Sequence, residues 1–500
     1  MRHRLLLLAG LAAILVALHV PLLRMPLHWD EMGQFVPAAL DLWRDGAWVP
    51  HSTLPNIHPP GLMALLAAVW SLTGYSILVT RLTMLGIASV GAYLAFLLAI
   101  RLSRGAVGAP AFAAVAYLLA APIFYTQSMM VLLDLPAMVL TAAALLLFLD
   151  QRSAACAAVC VALVLVKETA LTTPAVFAAW LWLREGRRRE ALYFAAPAVA
   201  LAGWLLALKT ATGSWFGNAE FARYNVTESV APLHVLYAIL RRIYFLFFAD
   251  GHWIGSLCLY WGWRALRGRQ WTIALSVAGA QVMVVTLLGG AVLDRYLLPA
   301  LPVLYAAFAT SASLLPAGRR LAAQLALLGL LVAGWWWNSP FPLPLENNLA
   351  VADFVHLQRE AAQYVESVLR GRRVVSVWPF LSAVRNPDFG YVQSAIPTLQ
   401  APGLRRADLA SLELRPEDLI VLYSRGVTPR PWLTENPWIR PWLERFLDPA
   451  PEASAAEMRA LGFLSQARWE RRGQWIEVYA RESVPGHSPP LTPGPGAGNI

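Results

Sequence analysis

Five hundred residues, 58% of them hydrophobic and 14% charged, with a mean hydropathy of +0.52, exclude an ordinary soluble globular protein, in which about 25% charged residues are usual. The net charge of +10 could mark a nucleic-acid-binding chain, but in one this apolar it reads as arginine-rich turns on the cytoplasmic side of a membrane. Cys156, Cys160 and Cys258 all lie in apolar stretches; Cys156 and Cys160 stand four apart on one helix face with no further His or Cys nearby, so they read as small apolar filler rather than a metal pair, and no disulfide staples the hydrophilic parts.

In chain order, MRHRLLLLAG begins like a signal peptide, but no small-x-small cleavage site follows in VALHVPLL. Residues 5–23 are therefore expected to be an uncleaved first span. A span needs about 20 apolar residues. Further stretches of that kind lie at 77–100, 106–126, 131–149, 191–208, 249–263, 271–290, 296–315 and 321–337. Two shorter ones between 153 and 183, broken by Lys167-Glu168, bring the expectation to eleven. LMALLAAVWSLT at 62–73 is too short to cross and follows Pro59-Pro60, so it is expected along the interface. The stretch 233–248 carries Arg241-Arg242 and reads as a second interfacial helix.

The basic residues give an orientation. Arg2 and Arg4 place the N-terminus in the cytoplasm, and alternation puts turns 101–105, 150–153, 184–190, 264–270 and 316–320 on the same side. Each of these turns is basic, as with Arg101 and Arg104, or Arg187, Arg188 and Arg189. The outer side then receives 24–76, 127–134, Lys167-Glu168, 209–248, Asp294-Arg295 and the chain after about 338. Trp335, Trp336 and Trp337 close the last span as an aromatic belt.

From 345 the composition turns hydrophilic. NLAVADFVHLQREAAQYVESVLR has helical periodicity, and RVVSVWP, DLIVLYS and WIEVYAR read as strands. The expected fold is an α-helical polytopic membrane protein with a small C-terminal α/β domain on the periplasmic or extracellular side. Its parts are a transmembrane domain at 1–337, an extracytoplasmic domain at 338–483 and a disordered Pro/Gly-rich tail at 484–500. GPGAGNI in that tail follows no strand and opens no helix, so it is no nucleotide fingerprint. No repeat or heptad pattern appears.

The outward polar groups are few. Loop one holds His28, Asp30, Glu31, His51 and His58; Asp134 stands in MMVLLDLPAM; then come Lys167-Glu168 and Asp294-Arg295-Tyr296. Asp30 and Glu31 leave an apolar run together, where charge is costly unless it is wet or used. Asp134 reads either as a helix N-terminal acid or as a site residue. Lys167 is one of two lysines against 38 arginines, in apolar surroundings. It reads as a chosen ammonium or, with Glu168, as a structural ion pair. Acids and cations on one water–lipid boundary suit sugar transfer from a lipid phosphate to a hydroxyl. A carboxylate takes the acceptor proton, and cations stabilise the charge on the leaving phosphate. Two carboxylates can divide such work.

HWDE, NIHPPGLMALLAAVW, GYSILVTRL, LLDLPA, VKETAL and DRYLLPALP, in that order over roughly residues 1–320, resemble the GT-C membrane glycosyltransferases. More narrowly, they are similar to the protein O-mannosyltransferases and lipid A aminoarabinose transferases. The resemblance implies an inverting transferase in the bacterial cytoplasmic membrane that uses a polyprenyl-phosphate sugar donor outside the membrane. The acceptor is a lipid, glycan or protein, and no nucleic acid is involved. Asp30 matches the first-loop acid, the implied base, with Glu31 beside it, and Asp134 matches the second-loop acid. His58, Lys167, Arg295 and Tyr296 are implied at the donor phosphate. His58 stands where the aminoarabinose enzymes have the Lys of Glu-Lys-Pro-Pro, Ile57 replaces the metal-binding Glu, and Gly33 replaces an Arg. A divalent cation is thereby left open. Two other readings remain: a lipid-linked sugar transporter, against which the lack of an internal repeat counts, and a non-catalytic envelope-assembly subunit.

Overall fold

The computed structural model describes residues 2–103, 109–227, 229–337, 344–426, 435–441 and 452–481. Arg104 and the whole of 484–500, both named in the sequence reading, lie outside the described residues. By contacts the chain divides into a helical unit, to which residues 344–351 belong, and a second unit that begins at Ala352.

The helical unit opens with Arg2–His19, continued by a 3-10 turn to Leu22. Helix Ile77–Leu102 has 26 residues, about 39 Å at 1.5 Å per residue, and is long enough to cross a bilayer core. Its Ser76 cap accepts the Val79 N–H at 3.1 Å. Gly91 on that helix lies so close to the helix Asp134–Leu149 that a Cβ would meet Val139 at 2.8 Å, the close approach that small residues permit between membrane helices.

Four helical stretches are long and apolar enough to cross alone: His3–Leu22, Ile77–Leu102, Arg188–Thr212 and Arg269–Leu287. Pro232–Phe247 and Ala249–Leu266, bent by 42°, would make a fifth as one broken span. Length and composition thus account for four or five crossings among the described residues, against the eleven expected. The other expected spans fall on shorter helices. Apolar stretches are interrupted at Ala121-Pro122, at Lys167 and by the 3-10 turn Asp294–Ala300, so Ala109–Ala120, Ser153–Val166 and Leu301–Ala312 are short. The expected interfacial helix at 62–73 is the helix Gly61–Thr73. That at 233–248 is the helix Pro232–Phe247, whose Arg242 is buried rather than turned to water.

The second unit holds a five-stranded sheet: β1 (Val374–Ser376), β2 (Thr398–Gln400), β3 (Leu419–Tyr423), β4 (Phe463–Arg471) and β5 (Gln474–Arg481), in the order β2-β1-β3-β5-β4. β1 runs parallel to β2 and β3, while β5 is antiparallel to β3 and β4. Every residue of β3 is buried, as in a central strand covered on both faces. Arg472 and Gly473 join β4 to β5 with φ of 44° and 80°, the left-handed pair that tight hairpins use. The three expected strands are β1, β3 and β5; β2 and β4 are additional.

Candidate active site

Loop one turns sharply at Trp29, which has φ 43°, and its carbonyl accepts the N–H groups of Met32 and Gly33 at 2.9 Å each. A π-turn, Glu31–Phe35, then leads into the helix Val36–Asp45. This turn sends neighbouring side chains to different places. Glu31 is fully buried and pairs with Arg81 of the long helix. One of its oxygens also accepts the Val131 N–H at 2.7 Å, and the other accepts the His28 N–H at 2.9 Å and Arg81 Nη2 at 3.0 Å. Arg81 also donates from Nη1 to the carbonyl of Met129 at 2.8 Å and from Nη2 to those of Pro26 at 3.0 Å and Met25 at 3.3 Å, while its Nε has no hydrogen-bond partner among the described residues. Glu31 and Arg81 thus knit the first loop to the 129–131 segment just before Asp134.

Asp30, one residue earlier, points to Arg295 and keeps its side chain one-fifth exposed. Arg295 comes from the 3-10 turn Asp294–Ala300, whose Pro299 prevents a regular helix. The guanidinium meets three carboxylates. Nη2 donates to Asp30 Oδ2, Nη1 donates to Glu346 Oε2 at 3.0 Å, and Nε lies 3.3 Å from Asp134 Oδ2 without an aligned hydrogen bond. Asp134 sits in the first turn of its helix and also ion-pairs through Oδ1 with Lys167. The structure therefore brings Asp30, Asp134, Lys167 and Arg295 together, and adds Tyr296, whose ring lies 4.4 Å below Lys167 Nζ and 5.6 Å from the Arg295 guanidinium.

Lys167 and Glu168 do not serve one another. Lys167 adopts an extended conformation between two helices, and Glu168 opens a 3-10 turn. Lys167 turns to Asp134, and Glu168 accepts from His58 Nδ1 at 2.9 Å. His58 is mostly buried between Phe35 and Phe221, 5.9 and 5.4 Å away. The approach is tight: a Cβ on Gly61 would meet the Leu165 carbonyl oxygen at 2.5 Å, so only glycine lets the Pro-Pro-Gly entry lie against this break. Among the expected phosphate ligands, His58 is joined to Glu168 and not to the Arg295 cluster.

Arg81, Glu346 and Arg242 were not anticipated at this site, whereas Asp294 was named among the outward polar groups. Arg81 is the keystone just described. Glu346, on the 3-10 turn Leu345–Asn347, is the third partner of Arg295. Asp294 accepts from Arg241 at 3.1 Å and from Asn347 Nδ2 at 2.7 Å. Arg242 is 2% exposed and donates from Nη1 to the Leu293 carbonyl at 2.7 Å. Its Nε and Nη2 have no hydrogen-bond partner among the described residues, and its guanidinium lies 6.0 Å from the Tyr296 ring. Three cations thus border one tyrosine. Arginines inside long apolar segments are the sequence signal that marks Arg81 and Arg242; Glu346 has none. Burial, with Arg295 and Arg81 nearby, pushes the His28 imidazole down to about 3, so it is neutral near pH 7.

A metal does not fit this cluster. At the loop-one position Ile57 offers no ligand, and His58 and Glu168 are two donors engaged with each other. Among the described residues, the one group of three suitable ligands is Asp41, Asp45 and His51. Asp41 there already accepts the backbone N–H groups of His51 and Ser52 at 2.8 Å each, which ties the loop to the helix.

No family model matches the chain, and no curated protein matches it. Solved structures do. ArnT from Cupriavidus metallidurans bound to undecaprenyl phosphate superposes with a TM-score of 0.55 at 14% identity, over 95% of this chain and 97% of that one. The apo state of the same protein gives 0.55 at 13% identity with the same coverage. An oligosaccharyltransferase from Archaeoglobus fulgidus is a looser likeness, with a TM-score of 0.41 at 14% identity over 78% of this chain and 62% of that one. The chain is thus a mostly helical, polytopic membrane protein with the GT-C fold that it shares with ArnT.

Proposed function

We propose that this protein is an inverting glycosyltransferase that moves a sugar from a polyprenyl-phosphate donor to an acceptor hydroxyl at the outer face of the bacterial cytoplasmic membrane. The observation that carries the reading is the sharing of Arg295 by Asp30 and Asp134, 104 residues apart, beside the cations Lys167 and Arg242. The fold of ArnT, crystallised with undecaprenyl phosphate, supports the same lipid carrier here.

In this reading Asp30, the accessible carboxylate, removes the proton of the acceptor hydroxyl. The acceptor oxygen attacks the anomeric carbon as the carbon–oxygen bond to phosphate breaks, and the electron pair leaves on the phosphate oxygen. One displacement inverts the configuration. Lys167, Arg295 and Arg242 stabilise the charge gathering on the leaving phosphate. Tyr296 spaces these cations. Asp134 holds Lys167 and Arg295 in place, and Glu31 acts as a positioning residue, because all its acceptor positions are taken by donors. His58, with Glu168, stands at the edge of this set on the loop-one side.

The test is transfer by the purified protein in lipid nanodiscs from a polyprenyl-phosphate sugar labelled at the anomeric carbon. The expected product is a glycoside of opposite anomeric configuration, read by NMR. Retained configuration, or movement of the donor across vesicles with no covalent product, would replace this mechanism by a double displacement or by transport.

A further inference from the structure

Arg295 serves three carboxylates, and they are not equally provided for. Asp30 is partly in water, and Asp134 has Lys167 as a second counterion. Glu346 is buried, has Arg295 as its one ion-pair partner among the described residues, and leaves Oε1 without a hydrogen bond. It also faces Asp30, Asp134 and Glu31, all of the same sign. Its backbone is pinned: Thr126 Oγ1 donates to the Glu346 carbonyl at 2.5 Å, and Asn347 next to it donates to Asp294.

An anionic headgroup entering beside Lys167 and Arg242 competes for the Arg295 donors. The partner that loses Arg295 at least cost is one that can become neutral in place. Asp134 still has Lys167, and Asp30 still has water. Glu346 has neither, and its pinned backbone keeps it from swinging out.

We propose that Glu346 is a positioning residue that holds Arg295 in the empty site, yields it to an incoming phosphodiester headgroup, and takes one proton from solvent as it does so. The inference rests on the reading that the site takes a lipid-linked phosphate. No covalent bond changes; the protonated carboxyl then donates its O–H to the oxygen nearest it. The charge added by the headgroup is thereby cancelled inside a buried cluster, where uncompensated charge is expensive. Burial pushes the Glu346 carboxyl up to about 7, opposed by Arg295 and helped by Asp30, Asp134 and Glu31, so the empty site releases the proton near neutrality. Losing Arg295 to a ligand raises it further. Binding above pH 7 must then bring a proton in, and affinity falls by up to about tenfold per pH unit in that range.

The experiment is calorimetric titration of the full-length protein in nanodiscs at pH 8, in two buffers of different ionisation enthalpy. The probe is a short-chain isoprenyl methyl phosphate, a diester whose own charge is constant from about pH 5 to 9, and dimethyl phosphate is run beside it. The expected result is uptake of about one proton per bound diester by the wild type and close to none by Glu346→Gln, which still binds. Uptake with the isoprenyl diester and no binding of dimethyl phosphate assigns the exchange to a lipid head; uptake with both assigns it to the phosphodiester itself. Binding without uptake, or uptake unchanged in Glu346→Gln, overturns the inference and leaves the lipid-phosphate reading standing. No binding of the isoprenyl diester by the wild type overturns both. Should Glu346→Gln not fold, the carboxylic C=O band in the ligand-induced infrared difference spectrum of the wild type decides: its appearance supports the exchange and its absence overturns it.

Discussion

Two buried arginines, Arg81 and Arg295, face carboxylates from the same first loop, and they do so in opposite ways. Arg81 meets one acid, Glu31, and its two terminal nitrogens and both carboxylate oxygens are further engaged by Val131, His28, Met129, Pro26 and Met25, while its Nε has no hydrogen-bond partner among the described residues. Arg295 is divided among Asp30, Asp134 and Glu346, its Nε has no aligned acceptor, and Arg242 nearby keeps two donors without partners among the described residues. Both arginines are buried, so burial alone does not separate a structural ion pair from a site. The number of acids served does: Arg81 holds one carboxylate whose acceptor positions are all filled, whereas Arg295 is divided among three and can exchange one of them for a ligand.

That contrast can be broken at its open end most severely. Asp30→Asn should lower kcat for sugar transfer by about 10²–10⁴-fold, the usual worth of a positioned base, with an unchanged melting temperature. Full activity in a folded Asp30→Asn would remove the base from the mechanism. At the closed end the order reverses. Arg81→Met leaves Glu31 as an uncompensated buried charge and should cost about 3–5 kcal/mol of stability in denaturant titrations in detergent. If Arg81→Met melts like the wild type but loses transfer, then Arg81 belongs to the site and the contrast fails.

A smaller effect sharpens the role of the unfilled donors. Arg242→Gln should raise KM for the lipid-linked donor by about 10–100-fold, matching about 1.5–3 kcal/mol for hydrogen bonds to a charged group, with little change in melting. An unchanged KM would make those donors a structural oversight rather than a phosphate contact. The smallest effect concerns His28. Its imidazole is depressed in the folded state to about 3, so its contribution to stability is complete above 6.5 and is lost as pH falls toward 3. Melting between pH 6.5 and 5.5 should show a slope of up to about 1.4 kcal/mol per pH unit, and His28→Asn should flatten it. An identical slope in the variant would assign it to other groups.

How much of this could be read from the chain alone follows from how far the partners lie apart. Asp30, Asp134, Lys167, Arg295 and Tyr296 announce themselves as polar residues in apolar company, and the structure gathers them into one cluster. What each does there is a matter for the experiments above. Glu31 looked like a second acid of the same kind as Asp30, because two neighbours in sequence carry no sign of the turn at Trp29 that separates them. Glu346 stands in an unremarkable PLENN segment, and only its approach to Arg295, 51 residues away, gives it meaning. In the second unit, β1, β3 and β5 are legible as runs of β-branched and aromatic residues. β2 is three residues long and largely unburied, and β4, FLSQARWER, mixes charge into a weak alternation. Hydropathy does not register a proline or a 3-10 turn inside an apolar run, so the expected spans 106–126 and 296–315 are divided, the first at Pro122 and the second by Asp294–Ala300.

Lys167 and Glu168 share one peptide plane, yet one reaches to Asp134 and the other to His58. Each side chain turns about its own χ angles, but the trans peptide holds the two Cα atoms about 3.8 Å apart, so a backbone displacement at one is felt at the other. The aromatic niche around His58 is in this way linked through one peptide unit to the ammonium beside Tyr296.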